Sequence, residues 1–239
     1  MKSVIVATKN IGRLVEASQA LLTRTPETPG MGLIFGKSGL GKTTATAWFV
    51  NQCNGIYVRA LSTWTPSAML QTILRELEMS PTKLRSSAMV MQISEALKVC
   101  GRPIFIDEFD YILEDVRMTE TLRDIHDISA VPIVLVGMEN ARRKIQLREQ
   151  FANRIAQFVE FRPTDYDDCQ RLASDLCEVS VSDELLKKLF VDSKGVVRLI
   201  VIGLDAIERR ARTLGVSEMD SKSWGNAEFF LKENRKRGF

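Results

Sequence analysis

The chain has 239 residues, 45% of them hydrophobic, and a formal net charge of +3. This length can bury a sizeable core. The near balance of charge excludes a bulk polycation, so any nucleic-acid binding has to come from a local basic surface. Cys53, Cys100, Cys169 and Cys177 form no CxxC pair, and the single histidine, His126, has no cysteine near it in sequence. A zinc motif is therefore set aside in favour of free thiols in a reducing cytoplasm.

The first ten residues carry too short an apolar run for a signal peptide, and no segment has the apolar length that spans a bilayer. The expectation is a cytoplasmic protein with no membrane partner. An amphipathic first segment ends in the turn-rich stretch Thr25-Pro26-Glu27-Thr28-Pro29-Gly30, so residues 1–30 read as an N-terminal helix and linker. Short apolar runs then follow at Met31 to Phe35, Gly55 to Arg59, Pro103 to Ile106 and Val131 to Val136, with helical patterns between them. That alternation predicts an α/β core over 31–162, a parallel sheet flanked by helices. Beyond Phe161-Arg162-Pro163-Thr164 no further strand-like run appears. Helical segments around 165–178, 182–191, 195–213 and 220–234 predict a small all-helical lid over 163–239, which ends in the basic tail Lys232 to Phe239.

The first apolar strand runs into Gly36-Lys37-Ser38-Gly39-Leu40-Gly41-Lys42-Thr43, and Thr44 onward continues as a helix. Strand, glycine-rich loop and helix in this order form a P-loop: the glycines let backbone N–H groups wrap phosphate oxygens, and a helix N-terminus faces the negative charge. Lys42 then reaches the β and γ phosphates of ATP, and the Thr43 hydroxyl faces Mg2+. Downstream, Arg102-Pro103-Ile104-Phe105-Ile106-Asp107-Glu108 is an apolar strand ending in two acids. Asp107 is placed toward Mg2+, and Glu108 toward the attacking water.

The next strand leads into Met138-Glu139-Asn140, where Asn140 is the candidate γ-phosphate sensor and Glu139 its competitor; asparagine also favours helix caps. Arg154, just before the last segment of the sheet domain, is placed to reach a neighbouring subunit's nucleotide. Arg198, early in a lid helix, is placed to reach its own, and the planar guanidinium suits both tasks. His126 has no metal-ligand partner in its helix and reads as a packing residue.

Taken in order, the P-loop, Ile106-Asp107-Glu108, Leu122-Arg123-Asp124-Ile125-His126-Asp127, Val134-Leu135-Val136-Gly137-Met138, Asn153-Arg154-Ile155 and Gly195-Val196-Val197-Arg198 resemble the AAA+ superfamily. More narrowly, they are similar to the ATPases that select target DNA in transposition, of the phage Mu transposition protein B type and its relatives in Tn7-like elements. The resemblance covers about residues 30–215. It implies an ATP- and Mg2+-dependent binder of double-stranded DNA that assembles as a helical filament and recruits a transposase. With only about thirty residues ahead of the core strand, it also implies that DNA binding falls to the ATPase core. Lys83 and Arg85, Arg142-Arg143-Lys144 and the basic tail are the candidate phosphate contacts, although solvated charged faces have the same composition. Two alternatives stay open: an AAA+ ATPase that remodels protein partners, and an initiator or clamp-loader-like DNA switch.

Overall fold

The computed structural model describes residues 1–25, 27–80 and 84–230. Lys83 and the tail from Lys232 to Phe239 lie outside the described residues. The chain divides into two compact units. One comprises Asn10–Ser38 and Lys42–Arg162. The other comprises Met1–Lys9, Gly39–Gly41 and Pro163–Phe239, of which 231–239 are not described.

From Asn10 on, α1 (Lys9–Leu22) belongs to the larger unit and buries Leu14, Ser18 and Leu21 at helical spacing. β1 (Met31–Phe35) leads through the glycine-rich loop into α2 (Lys42–Gln52) and β2 (Ile56–Arg59). α3 (Pro66–Glu76) starts with Thr65 accepting from the Ala68 N–H and with proline in its first turn, where no donor is lost. α4 (Ser86–Cys100) stops at Gly101, which has φ 64°. There follow β3 (Ile104–Asp107), α5 (Asp110–Leu113), α6 (Val116–Ser129), β4 (Ile133–Gly137), α7 (Ala141–Gln146), α8 (Glu149–Ala152) and β5 (Ile155–Glu160).

The five strands pair in the order β2-β3-β4-β1-β5, every pair parallel. The three inner strands are buried along their whole length, as expected of a parallel sheet covered on both faces. Consecutive β1 and β2 are separated by β3 and β4, so the loop after β1 opens where the strand order reverses, the place where open α/β sheets bind ligands. Register fixes the rest: Phe35 lies opposite Gly137, Ile106 opposite Leu135 and Arg59 opposite Asp107, so the ends of β1, β3 and β4 face the same side.

β5 is a strand that the apolar runs do not reveal. It is an edge strand with alternating exposure, and a register irregularity beside Met31 further dilutes its pattern. The core of this unit is one apolar cluster in which Phe109 stacks on Phe151 with ring centroids 6.0 Å apart.

The smaller unit contains α9 (Tyr166–Leu176), β6 (Ser180–Val181), α10 (Asp183–Ser193), α11 (Val197–Leu214), β7 (Glu218–Met219) and α12 (Ser221–Trp224). Two points correct the sequence reading. The unit is not wholly helical, because β6 and β7 form a two-residue parallel pair, too short to leave an alternation. The last helix among the described residues ends at Trp224, because Gly225 takes φ 64° and Trp224 stacks on Phe229; the part of the expected helix from 231 to 234 lies outside the described residues. Its core gathers Leu185, Leu189, Ile200, Leu204, Ile207, Trp224 and, from the N-terminal segment, Val6. No helix among the described residues is long and apolar enough to cross a membrane, and the four cysteines are free.

Candidate active site

The glycine-rich loop is built on β1. Phe35 O accepts from the Phe161 N–H at 2.8 Å, and directly after it Gly36 turns to φ 152°. A Cβ on Gly36 would lie 2.5 Å from Phe161 O, so only glycine fits. Gly39 and Gly41 also have positive φ, 82° and 88°. Lys37 and Ser38 are exposed, Leu40 is buried, and Thr43 and Thr44 stand exposed in the first turn of α2.

The Lys42 ammonium donates to Gly36 O at 2.6 Å and to Lys37 O at 2.9 Å, so it is folded over the concave side of the loop. Positive-φ glycines, a helix N-terminus, an ammonium and a hydroxyl form a donor set that fits a polyphosphate. In the smaller unit, which includes the loop tip, Gly39 O accepts from the Arg198 N–H at 2.9 Å. Arg198 itself is exposed at the start of α11.

At the end of β3, Asp107 is 3% exposed. A carboxyl this buried requires partners. Its Oδ1 accepts from the Glu108 N–H and its Oδ2 from the Tyr57 hydroxyl, both at 2.8 Å. Burial first, and then the Asp107 bond, push the Tyr57 phenol upward, so it remains a donor. Glu108 sits at φ 54°, a left-handed conformation that is costly for a residue with a Cβ. Arg59 Nη2 stands 3.4 Å from Glu108 Oε1.

One turn on, Asp110 Oδ2 accepts from the Met138 N–H at 2.6 Å and so ties the acidic segment to the loop after β4. Asn140 is exposed in that loop and makes no side-chain cap on α7, so the capping role open to asparagine is not used here.

Arg154 is engaged within its own chain. Its Nε and Nη2 bond the two oxygens of Asp127 at 2.8 and 2.9 Å, a bidentate pair at the half-exposed end of α6. The guanidinium holds the Asp127 carboxyl below its usual range. His126 is buried with Nδ1 2.9 Å from Val131 O, and desolvation lowers its pKa; this is the packing role read from the sequence.

The basic candidates separate. Arg85 is exposed at the start of α4 and makes no side-chain cap. Arg142 lies over the rings of Phe35 and Phe158, at 5.8 and 5.2 Å from their centroids. Arg143 is exposed, and Lys144 pairs with Glu114 at 2.7 Å.

Sequence reasoning missed Tyr57, Arg59, Asp110 and Asp127 as parts of this neighbourhood. Asp110 has a local signal, since it lies three residues after Asp107 on the same acidic segment. The others meet their partners only through strand pairing or tertiary packing, which spacing does not encode. Among the described residues no group of three or more His, Cys, Asp or Glu side chains is arranged as a metal cage. A Mg2+ ion held by one carboxylate, a hydroxyl and phosphate oxygens needs no such cage, and Asp107 and Thr43 fit it.

A parallel sheet whose inner strands end in a phosphate loop and an acidic pair defines a P-loop ATPase. The chain belongs to the AAA domain family, whose profile matches residues 24–145, just over half its length, and it is an ATP hydrolase of that class. No curated protein matches it.

Among solved structures it is similar to the ORC2 protein of Aeropyrum pernix in ADPNP–ADP complexes, with 16% identity and TM-score 0.71, covering 93% of this chain and 68% of that one. It is similar also to the Aeropyrum pernix ORC1 protein in complex with DNA, with 16% identity and TM-score 0.63, covering 93% and 64%. A third is the Thermotoga maritima RuvB Holliday junction branch migration motor, with 16% identity and TM-score 0.60, covering 91% and 67%. The chain thus spans about two thirds of each of these proteins, and the likeness is one of fold.

Proposed function

We propose that this chain is an ATP- and Mg2+-dependent switch that binds double-stranded DNA with little sequence preference, assembles on it as a helical filament, and presents it to a transposase. The ATPase part is carried by the glycine loop at the strand-order reversal, with Asp107 and Glu108 on the same edge of the sheet. The DNA part is supported by likeness to an ORC1 protein solved with DNA and to a branch migration motor. The transposition part is supported by the motif order from the P-loop through Gly195-Val196-Val197-Arg198.

In this reading the backbone of Gly36 to Gly41, with Lys37, Ser38 and Leu40, cradles the phosphates, and Lys42 neutralises the β and γ oxygens. Thr43 and Asp107 would hold Mg2+, which would supply charge neutralisation to the phosphates. Glu108 orients water, Asn140 senses the γ-phosphate, and Arg198 contacts the phosphates of its own subunit. Arg154 completes a neighbour's site, so hydrolysis and assembly are coupled and the nucleotide state governs release from DNA.

Arg85 and Arg143 are the better phosphate contacts among the described residues, because Lys144 already has a carboxylate and Arg142 is stacked on aromatic rings. An initiator-like switch that forms a partial ring is the second reading, favoured by the TM-score of 0.71 to ORC2.

The test is electron microscopy of the protein with duplex DNA under ATP, ADP and no nucleotide, with Glu108→Gln to trap the ATP state. Filaments coating DNA only with ATP support target selection. Rings or partial rings on DNA favour the initiator reading, and assemblies that ignore DNA refute both.

A further inference from the structure

The edge strand β2 places one side chain directly on the buried acid of β3. Tyr57 and Arg59 project from the same face of β2, and β2 pairs with β3 so that Tyr57 lies opposite Phe105 and Arg59 opposite Asp107. From two register positions before Asp107, on the same face, the half-buried phenol reaches forward and donates to Oδ2 at 2.8 Å.

The other oxygen, Oδ1, is bonded to the backbone N–H of Glu108, a contact fixed by the left-handed turn at that residue. The backbone bond alone leaves the carboxylate able to twist about its terminal torsion, which is broad for an aspartate. The Tyr57 hydroxyl removes that freedom. Each carboxylate oxygen retains a second lone pair after accepting one hydrogen bond, so the two donors fix the direction in which the remaining lone pairs point without consuming them.

We infer that Tyr57 is a positioning residue: through its hydroxyl it orients Asp107 toward Mg2+ and thereby sets the metal requirement of nucleotide binding. The inference rests on the proposed role of Asp107 and adds to it a residue that touches neither metal nor phosphate. Groups of this kind, one bond away from a metal ligand, typically alter metal affinity by about tenfold or more when removed. A tyrosine that merely packs an edge strand would act through its ring, and phenylalanine would replace it without consequence.

The test is Tyr57→Phe, which keeps the ring and removes only the donor. Binding of a fluorescent ATP analogue is measured in a Mg2+ titration, and the Mg2+ dependence of hydrolysis is followed in parallel. The expected result is unchanged affinity without Mg2+, a half-saturating Mg2+ concentration raised about tenfold, and recovery of turnover at saturating Mg2+.

The same substitution is made on an Asp107→Asn background, where it is expected to add no further shift, since the group it orients is gone. Identical Mg2+ curves for Tyr57→Phe and the unmodified protein overturn the inference, as does an equal shift on both backgrounds. If nucleotide binding by the unmodified protein ignores Mg2+, or Asp107→Asn leaves its Mg2+ response intact, the metal role of Asp107 fails first and the inference falls with it. That failure is distinguishable because it appears before Tyr57 is altered.

Discussion

Substituting Gly36 by alanine tests how the sheet shapes the phosphate loop. The new Cβ would sit 2.5 Å from Phe161 O, a backbone atom of the segment that closes β5 onto β1 through the Phe161 N–H to Phe35 O bond. Carbon and oxygen at ordinary contact are about 1 Å farther apart, and a backbone carbonyl cannot swing aside as a flexible side chain can. Two costs therefore add. The φ of 152° is one that residues with a Cβ rarely adopt, worth about 1–3 kcal/mol, and forcing the strands apart costs about 1–3 kcal/mol more.

The expected loss is about 2–6 kcal/mol in urea unfolding followed by circular dichroism, with the slope unchanged. ATP-analogue binding should be weakened at temperatures where the variant is still folded. Gly12→Ala is the control: it lies within α1 with nothing within 4 Å of its Cβ, and it should gain about 0.5–1 kcal/mol from helix propensity. A Gly36→Ala protein as stable as the parent and with equal ATP affinity would refute the argument that the β1–β5 pairing dictates glycine at the mouth of the loop.

Lys42→Ala should abolish ATP binding and DNA-dependent assembly together, read by fluorescence titration and sedimentation; assembly that persists would uncouple the two. Glu108→Gln should bind ATP normally while turnover falls by about a hundredfold or more, comparable to loss of a positioned general base, and rapid phosphate release by this variant would remove Glu108 from that role. Phe109→Ala should cost about 3–5 kcal/mol by denaturant titration, because a fully buried ring stacked on Phe151 leaves a cavity.

His126 has a folded pKa below its ordinary value of 6.5 because burial penalises its charged form. Its neutral state carries no penalty above that value, and the unfolded chain gains protons preferentially as pH falls below it. Stability should thus decline from about pH 6.5 downward, and a His126→Gln protein should show a shallower decline in that window. Asp127 behaves alike further down: its folded pKa is depressed by Arg154, so the pair stabilises above the carboxylate range and is lost as pH enters it. Asp127→Asn should flatten the acid limb of the stability curve.

Much of the sheet was legible in the chain because inner parallel strands are buried on both faces and read as unbroken apolar runs. Met31 to Phe35, Ile104 to Ile106 and Ile133 to Val136 show this plainly. β5 was hidden because an edge strand with one solvated face carries only every second apolar residue, and here a register shift breaks even that rhythm. The paired residues of β6 and β7 were too few to leave any pattern.

The same division runs through the site. The loop from Gly36 to Thr43 is legible because its chemistry is contiguous: the glycines that need unusual φ, the lysine and the hydroxyl are neighbours in sequence. Asp107-Glu108 alone reads as readily as a solvated turn, and becomes legible because it ends an apolar strand downstream of a P-loop. The side chains that meet those acids, Tyr57 and Arg59, are set by strand pairing. Tyr57 reaches Asp107 across fifty positions of sequence, and Asp127 takes Arg154 across twenty-seven. Local composition records backbone conformation and contiguous chemistry; it does not record which distant side chains meet, and here strand pairing gave Asp107 its Tyr57 donor while helix packing gave Arg154 its carboxylate.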